Sequence, residues 1–476
     1  AYESLLRSTR QGYHRRIAEV LAERFPETAA TQPELLAYHY TAASFHEQAV
    51  DYWQQAGQRA RQRSAHKEAI DHLTNGLENL AALLDSSERN QQELPFQLAL
   101  GSSLIQVHGY GTPIVEQTFT RARELCQQLG ETSQLFSMYV GLRSTYLTRG
   151  DLRTAQEMNN HLFEIAQDTP NTAYFQSLAD IMQGHTSVFH GVLVQARSHF
   201  ERGLHAYQSQ FGREQQDPRT FAGSWLAITL WLLGYPEQAA QQINEALATA
   251  QESPYPFDLF MTLGYARHLF VLQRKHDMAR ECLVNRLTIA SEHGFNQASP
   301  EKTIHQALEQ IKNGDAKVGE ALAHQGLAAY RAAGVAGGLM GALAGLASAY
   351  QLACQPEAGM KALAEALALV EKTGQRRDEA ELHRLKGQLL LQQSPDNTVE
   401  AENCFRQAIT IAQNQSAKSW ELRAVTSLAR LWQSQGKREE AYDLLTPVYG
   451  WFTEGFDTAD LIDAKTLLDE LSEGRS

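Results

Sequence analysis

Small residues recur along this chain at a nearly fixed interval, each near the start of the apolar face of an amphipathic segment. The interval is 40 to 43 residues, which is typical of a repeat array and not of one globular core. The recurring positions are Ala155, Ala196, Ala239, Ala279, Gly319, Gly359, Ala401 and Ala441. A bulky apolar residue often follows four positions later, as Phe200 and Phe405 do, on the same helical face one turn on.

A second small residue and a glycine complete most of these periods. The second small residue comes twelve positions earlier, at Gly184, Ala227, Ala307, Ala347 and Ala429. The glycine comes five positions earlier, at Gly150, Gly191, Gly234, Gly314 and Gly436. Because two helices approach closely only where side chains are small, each period predicts two antiparallel helices joined by a tight turn. Alternating β-branched runs are not found in the sequence, so we predict an all-α solenoid of about 23 helices.

The pattern also predicts how the chain is divided. Helices are expected at 1–24, 33–43, 46–62, 66–84, 89–108 and 113–129, and eight regular pairs follow between about 133 and 453. We predict four segments: 1–45 as helices that join a missing upstream module, 46–294 and 295–456 as two parts of the array, and 457–476 as a capping helix. The irregular polar stretch 294–300 predicts a hinge, and 211–219 predicts a loop.

Charge and composition narrow the possible partners. The chain has 42 Lys and Arg against 55 Asp and Glu, a formal net charge of −13. A surface this acidic repels phosphates, which argues against nucleic acid and an anionic membrane as partners. The uncharged stretch from Ala332 to Pro356 has too few large apolar residues to enter lipid, so we interpret it as a packed soluble helix. Four widely spaced cysteines and a charged N-terminus without a leader favour the cytoplasm, and the missing initiator Met indicates a fragment.

Catalytic motifs are absent from the sequence. It has no GxxxxGK[ST] loop, no HExxH pair and no GxSxG elbow. His185 and His190 are five residues apart and therefore point to different faces of a helix. We therefore expect no catalytic residue, no metal site and no cofactor in this chain, and any enzymatic activity would lie in an upstream domain.

Three passages resemble a known family. They are AYESLLRSTRQGYHRRIAEVLAERFPE at 1–27, FTRARELCQQLGET at 119–132 and AKSWELRAVTSLARLWQSQGKREEAYDLLTPVYGWFTEGFDTADL at 417–461. The repeat resembles a long form of the tetratricopeptide repeat. The passages are similar to the C-terminal region of bacterial multidomain signalling proteins, in which a class III adenylate cyclase-type domain or another effector precedes a STAND/AAA-type ATPase. The resemblance implies a right-handed superhelix of helix pairs. The sequence departs from the family pattern at 295–312 and 335–345.

The resemblance also implies a ligand groove on the concave face, lined by the first helix of each pair. Counting back from the recurring small residues, and adding the neighbours Trp225 and Tyr265, places an apolar and aromatic set in the middle of the array: His185, Trp225, Ile228, Trp231, Tyr265 and His268. A basic and amide set follows further along: Arg384, Gln388, Arg423 and Arg430. The alternative is that the aromatic residues belong to the core between helices and that the arginines are ordinary surface charges.

Three functions remain open from the sequence. The first, which the resemblance favours, is a non-catalytic sensor or regulatory arm of a signalling ATPase that binds a protein, peptide or small ligand in the groove. The second is a static scaffold that binds a peptide or helix of a partner protein. The third is an enzyme built on a helical solenoid, which the missing motifs argue against.

Overall fold

The computed structural model describes residues 6–130, 132–168, 172–207 and 217–473. Its helices fall into two compact units: unit 1 comprises Ala1–Thr145 and His293–Asn296, and unit 2 comprises Tyr146–Glu292 and Gln297–Ser476. The boundary lies inside α8. The helices up to that boundary are α1 (Arg7–Arg24), α2 (Pro26–Thr31), α3 (Pro33–Ala42), α4 (His46–Gln62), α5 (His66–Ala81), α6 (Ser87–His108), α7 (Pro113–Leu129) and α8 (Thr132–Arg149).

Unit 2 continues the same pattern of paired helices. Its helices are α9 (Leu152–Asp168), α10 (Thr172–His190), α11 (Leu193–Ala206), α12 (Pro218–Leu232), α13 (Pro236–Gln251), α14 (Pro256–Leu272), α15 (His276–His293), α16 (Ser299–Lys312), α17 (Ala316–Ala332), α18 (Ala336–Leu352), α19 (Pro356–Thr373), α20 (Glu379–Gln393), α21 (Thr398–Asn414), α22 (Lys418–Ser434), α23 (Arg438–Tyr449) and α24 (Ala459–Ser472). The described ranges contain no β-strand. The all-α class and the helix-pair repeat predicted from the sequence are therefore confirmed.

The recurring small residues lie where the two helices of a pair meet. All eight of them, from Ala155 to Ala441, are buried. Gly184 shows why the position stays small, since a Cβ built there would come within 3.0 Å of the Phe200 ring. Because Phe200 is itself fully buried, a larger residue at 184 would force the two helices apart.

The predicted turn glycines end the first helix of their pairs in the left-handed conformation. Gly150, Gly191, Gly234, Gly314 and Gly436 have φ angles between +78° and +93°, which only glycine adopts without a steric penalty. Forty residues after Gly234 and Gly314, the same corner is formed by Arg274 (φ +62°) and Cys354 (φ +55°). The turn geometry is thus kept even where glycine is replaced.

The ends and irregular parts of the array differ in detail from the expected helices. The short helix α2 was not predicted, and the stretch 294–300 begins with left-handed Gly294 followed by a 3₁₀ turn at Asn296–Ala298. The uncharged segment forms α18, which packs against α16, α17, α19 and α20. The last helix, α24, buries Leu461, Leu467 and Leu471 in an apolar cluster with side chains of α22 and α23.

The helix boundaries leave the predicted loop, hinge and division into segments untested. Most of the loop predicted at 211–219 lies outside the described residues. The hinge and the four predicted segments stay predictions. In the ranges that the structure describes, every helix falls short of what crossing a lipid bilayer requires in length and apolarity.

Candidate functional site

Aromatic rings on successive first helices of the repeats form one cluster, which we call the aromatic wall. It consists of His185 and Phe189 on α10, Phe221 and Trp225 on α12, and Tyr265 on α14. The ring centroids of His185 and Trp225 are 4.4 Å apart, and those of Trp225 and Tyr265 are 5.5 Å apart. Trp225 and Tyr265 each lie fourteen residues before the small residue of their repeat, Ala239 or Ala279, and His185 lies eleven residues before Ala196. Stacking of the repeats brings the three rings together. All three were predicted as groove residues.

A later segment of unit 2 covers the aromatic wall. The segment joins α19 to α20 and includes Gln375, Arg376 and Arg377. The backbone N–H of Arg376 donates to the carbonyl oxygen of Phe189 at 2.8 Å. The guanidinium carbon of Arg377 lies 5.4 Å from the Phe189 ring centroid and 5.8 Å from that of Trp225. The predicted groove is therefore occupied at this point by the chain's own residues.

The charge of Arg377 is balanced by its neighbour. Its guanidinium donates to both carboxylate oxygens of Asp378, with the shortest contact at 2.5 Å. Burial alone would raise the pKa of Asp378, but the Arg377 charge and hydrogen bond hold that pKa below its ordinary value. The side chain over the aromatic wall is thus one half of a buried ion pair.

Some buried polar atoms on these first helices have no hydrogen-bond partner in the described part of the chain. They include Trp225 Nε1, His268 Nε2 and both atoms of the Gln273 side-chain amide. Burial, followed by the Arg377 charge, lowers the pKa of His268 to about 3. His268 is therefore neutral at physiological pH, and its Nε2 is left unsatisfied in this arrangement.

A second contact between distant repeats centres on Arg423, and we call it the arginine clamp. The guanidinium lies between two indole rings, 5.2 Å from Trp231 on α12 and 5.0 Å from Trp420 on α22. It donates to Asp460 at 2.7 and 2.9 Å and to the carbonyl oxygen of Leu272 at 2.6 Å. The clamp therefore ties α12 and α14 to α22 and α24, and its charge is already compensated.

A third contact links the end of α23 to the start of α13. Glu454 accepts hydrogen bonds from the backbone N–H groups of Glu237 (2.9 Å) and Gln238 (3.2 Å). In return, the Gly455 N–H donates to the Glu237 carboxylate at 2.8 Å. A carboxylate at a helix N-terminus satisfies free N–H groups and interacts favourably with the helix dipole. This pair of contacts spans more than 200 positions of sequence.

The other predicted site residues lie in three different environments. Ile228 is fully buried in α12 and does not line a surface. Arg384 makes a two-pronged ion pair with Glu381 at 2.7 and 2.8 Å. Gln388 and Arg430 line a cleft of about 350 Å³ beside α20, α21 and α22. Arg384 is joined to this cleft by a long contact of its Nη1 with Ser427 Oγ at 3.5 Å, but its charge is already paired, and Gln388 and Arg430 are the two predicted residues that line the cleft.

Several residues that shape this surface were not predicted. Arg377 lies between helices, where helical periodicity gives no signal, and Phe189 and Glu454 fall outside the positions counted from the small residues. Glu381 could have been found, since an acidic residue three positions before Arg384 on a helix is a common ion-pair spacing. In the described ranges, His, Cys, Asp and Glu side chains form no group of three that suits a metal ion.

Comparison with protein families and curated sequences gives one distant relative. No family model matches the chain. An uncharacterised protein of Rhizobium meliloti (strain 1021) is 23% identical over 440 residues, which cover 90% of this chain and 42% of the relative. The chain thus spans less than half the length of the curated relative that it matches.

Three solved structures with a similar course of the chain are remote from it in sequence. A Rap protein in complex with competence and sporulation factor is 12% identical with a TM-score of 0.48, covering 83% of this chain and 99% of that one. A STAND protein with a tetratricopeptide repeat sensor from Pyrococcus horikoshii is 14% identical with a TM-score of 0.41, covering 82% and 55%. NprR with its cognate peptide NprX is 13% identical with a TM-score of 0.41, covering 60% and 79%.

Proposed function

We propose that this chain is the non-catalytic sensor arm of a bacterial signalling ATPase, and that it binds a protein or peptide between the early and late repeats of unit 2. The observation that carries the proposal is a pair of buried polar atoms with no hydrogen-bond partner in the described ranges, Trp225 Nε1 in the aromatic wall and His268 Nε2 on α14.

The contacts between distant repeats differ in kind from those inside a repeat. Inside a repeat, small residues and bulky apolar side chains meet, as Gly184 and Phe200 do. Between distant repeats there are ring contacts, such as that of Trp231 with Trp420, but also ion pairs, hydrogen bonds to backbone groups and arginines over aromatic rings. Polar contacts of this kind can be exchanged for contacts with a ligand, whereas the apolar helix crossings cannot be opened without unfolding.

The covered state carries a cost that a ligand could remove. A buried hydrogen-bonding group without a partner costs about 1–3 kcal/mol. Trp225 Nε1 and His268 Nε2 are two such groups. A bound peptide has a carbonyl oxygen for the indole N–H and an N–H for the neutral imidazole, so it could satisfy both. A ligand that pairs these atoms only when Arg377 has moved away would shift the arm from a covered to an open state.

Other features support attachment to a larger protein. The first 27 residues and the last repeats resemble the tail of STAND-type ATPases, and the curated relative is more than twice as long as the matched part. In unit 1, the large apolar side chains of Tyr13, Ile17, Phe25 and Tyr38 are exposed, as expected of a surface that another module covers. The proposal predicts a P-loop ATPase motif in the coding sequence upstream of Ala1.

Selection from a random peptide library tests the binding surface. Peptides are selected separately against the parent chain and against the variants Trp225→Phe and His268→Leu. These two substitutions remove the unpaired groups with little change in side-chain volume. Trp451→Phe is the matched control, because Trp451 is partly exposed and lies outside the aromatic wall. Peptides that bind the parent and the control at least ten times more tightly than they bind Trp225→Phe would support the proposal. If no peptide distinguishes them, the aromatic wall is not the binding surface.

Hydrogen exchange then separates a sensor from a static scaffold. With a selected peptide bound, a sensor should show faster amide exchange at Arg376, because its hydrogen bond to Phe189 is broken. A static scaffold would bind the peptide with no change there. The Arg376 amide therefore reports which of the two functions applies.

A further inference from the structure

The cleft beside Arg430 is a candidate for a second binding site, apart from the aromatic wall. It lies between α20, α21 and α22 in unit 2, has a volume of about 350 Å³ and lies within the size range of small-molecule pockets. Its apolar side is formed by Leu391, Phe405 and Leu431, and Gln388, Ser434 and Arg430 supply polar groups. The aromatic wall contributes no residue to it.

Arg430 differs from the other arginines predicted for the groove. Arg384 is paired with Glu381 and Arg423 with Asp460. In the described ranges no carboxylate lies within 4.0 Å of the exposed Arg430 guanidinium, and none of the residues lining the cleft is acidic. In a chain with a net charge of −13, an uncompensated guanidinium at the rim of a partly apolar cleft attracts a small anion.

We infer that this cleft binds a small organic monocarboxylate with an apolar body. The carboxylate accepts two parallel N–H hydrogen bonds from the Arg430 guanidinium, the arrangement for which arginine is best suited. The apolar body packs against Leu391, Phe405 and Leu431, and the Gln388 amide is available to a polar group between the two ends. A dianion or a phosphate ester fits less well, because the cleft offers a single cation and apolar walls.

This site goes beyond the proposed function, which concerns a protein or peptide at the aromatic wall. The two are independent, since binding at the cleft requires neither movement of Arg377 nor the unpaired atoms of Trp225 and His268. Loss of one site by mutation should leave binding at the other unchanged.

The test is a titration of the whole chain with N-acetyl-L-leucine, in which binding is measured by isothermal titration calorimetry or ligand-observed NMR. The uncharged N-acetyl-L-leucinamide has the same apolar body and is the matched ligand control. We expect saturable binding of the acid, at least tenfold tighter than binding of the amide, since one charge-assisted contact is at stake. Equal binding of acid and amide, or no binding of the acid at millimolar concentration, overturns the inference.

Protein variants locate the anion. Arg430→Gln should weaken binding of the acid by about ten- to a hundredfold, and Arg430→Lys should retain part of it because the charge remains. Arg153→Gln is the matched control, because Arg153 on α9 is also exposed and has no carboxylate within 4.0 Å in the described ranges. Since Arg430 makes no ion pair with any residue that the structure describes, the melting temperature of Arg430→Gln should not change. Binding by Arg430→Gln as tight as that of the parent would show that the acid binds elsewhere.

Discussion

Replacing Arg423 by Met should weaken the contact between the early and late repeats of unit 2. Met keeps an unbranched apolar stem of similar length but removes the guanidinium. The substitution therefore removes the hydrogen bond to the Leu272 carbonyl oxygen and the ion pair with Asp460. It also removes the contacts of the guanidinium with the rings of Trp231 and Trp420. The Asp460 carboxylate then stays behind, largely buried, without its main partner.

The structure sets the size of the effect. Removing one member of a buried ion pair costs about 3–5 kcal/mol, because the other charge is left uncompensated. Arg274 lies 3.4 Å from the other oxygen of Asp460 and keeps part of the compensation, which places the expected loss at the lower end of that range. We therefore expect a loss of about 3 kcal/mol in the free energy of unfolding of unit 2.

Urea denaturation followed by tryptophan fluorescence measures this loss, since Trp231 and Trp420 flank the substituted side chain. A double-mutant cycle with Asp460→Asn should give a coupling energy above about 1 kcal/mol, because the double variant leaves no buried charge unpaired. Arg153→Met, at an exposed arginine without an ion pair, should change stability by less than about 0.5 kcal/mol. If Arg423→Met costs no more than that control, the arginine clamp does not hold the repeats together.

Three further predictions concern packing, pH and backbone geometry. Ala239→Leu places a large side chain at a fully buried helix crossing and should cost about 1–3 kcal/mol; an unchanged thermal melting temperature would contradict the assigned register. Burial and the Arg61 charge lower the pKa of His66 to about 4 from its ordinary value of 6.5, so the unfolded chain binds the proton more readily. The contribution of His66 to the free energy of unfolding is then fully present above pH 6.5 and falls by about 3 kcal/mol as the pH drops to 4. Denaturation midpoints measured across this range should therefore fall less for His66→Leu than for the parent chain. Cys354→Gly relieves a left-handed residue at φ +55° and should stabilise the chain by about 0.5–1 kcal/mol, whereas a lower melting temperature would exclude strain at that corner.

Local features of the fold were predictable from the sequence, and contacts between distant repeats were not. The period of small residues located the helix crossings, and the glycine five positions before them located the corners, because both features are needed within every repeat. His185 followed from the same count, and Trp225 and Tyr265 are neighbours of the counted positions.

The cover over the aromatic wall depends on a different kind of information. Whether Arg377 reaches Trp225 is decided by the small rotation between successive repeats, summed over several of them, and no local pattern encodes that sum. The partner of Arg423 was not predicted either, because Asp460 is 37 positions away on another helix. The sequence therefore located candidate groove residues but not which of their charges are already used.

The hydrogen bonds of Glu454 to the start of α13 change how unit 2 should unfold. In an open array each repeat contacts only its neighbours, so terminal repeats can fray while the middle stays folded. Here the last repeats hold the N-terminus of a helix more than 200 positions earlier, and fraying at one end releases contacts in the middle. Unit 2 should therefore unfold in fewer and larger cooperative steps than an open array of equal length, and it should refold more slowly, because contacts between residues so far apart in sequence must close a long loop.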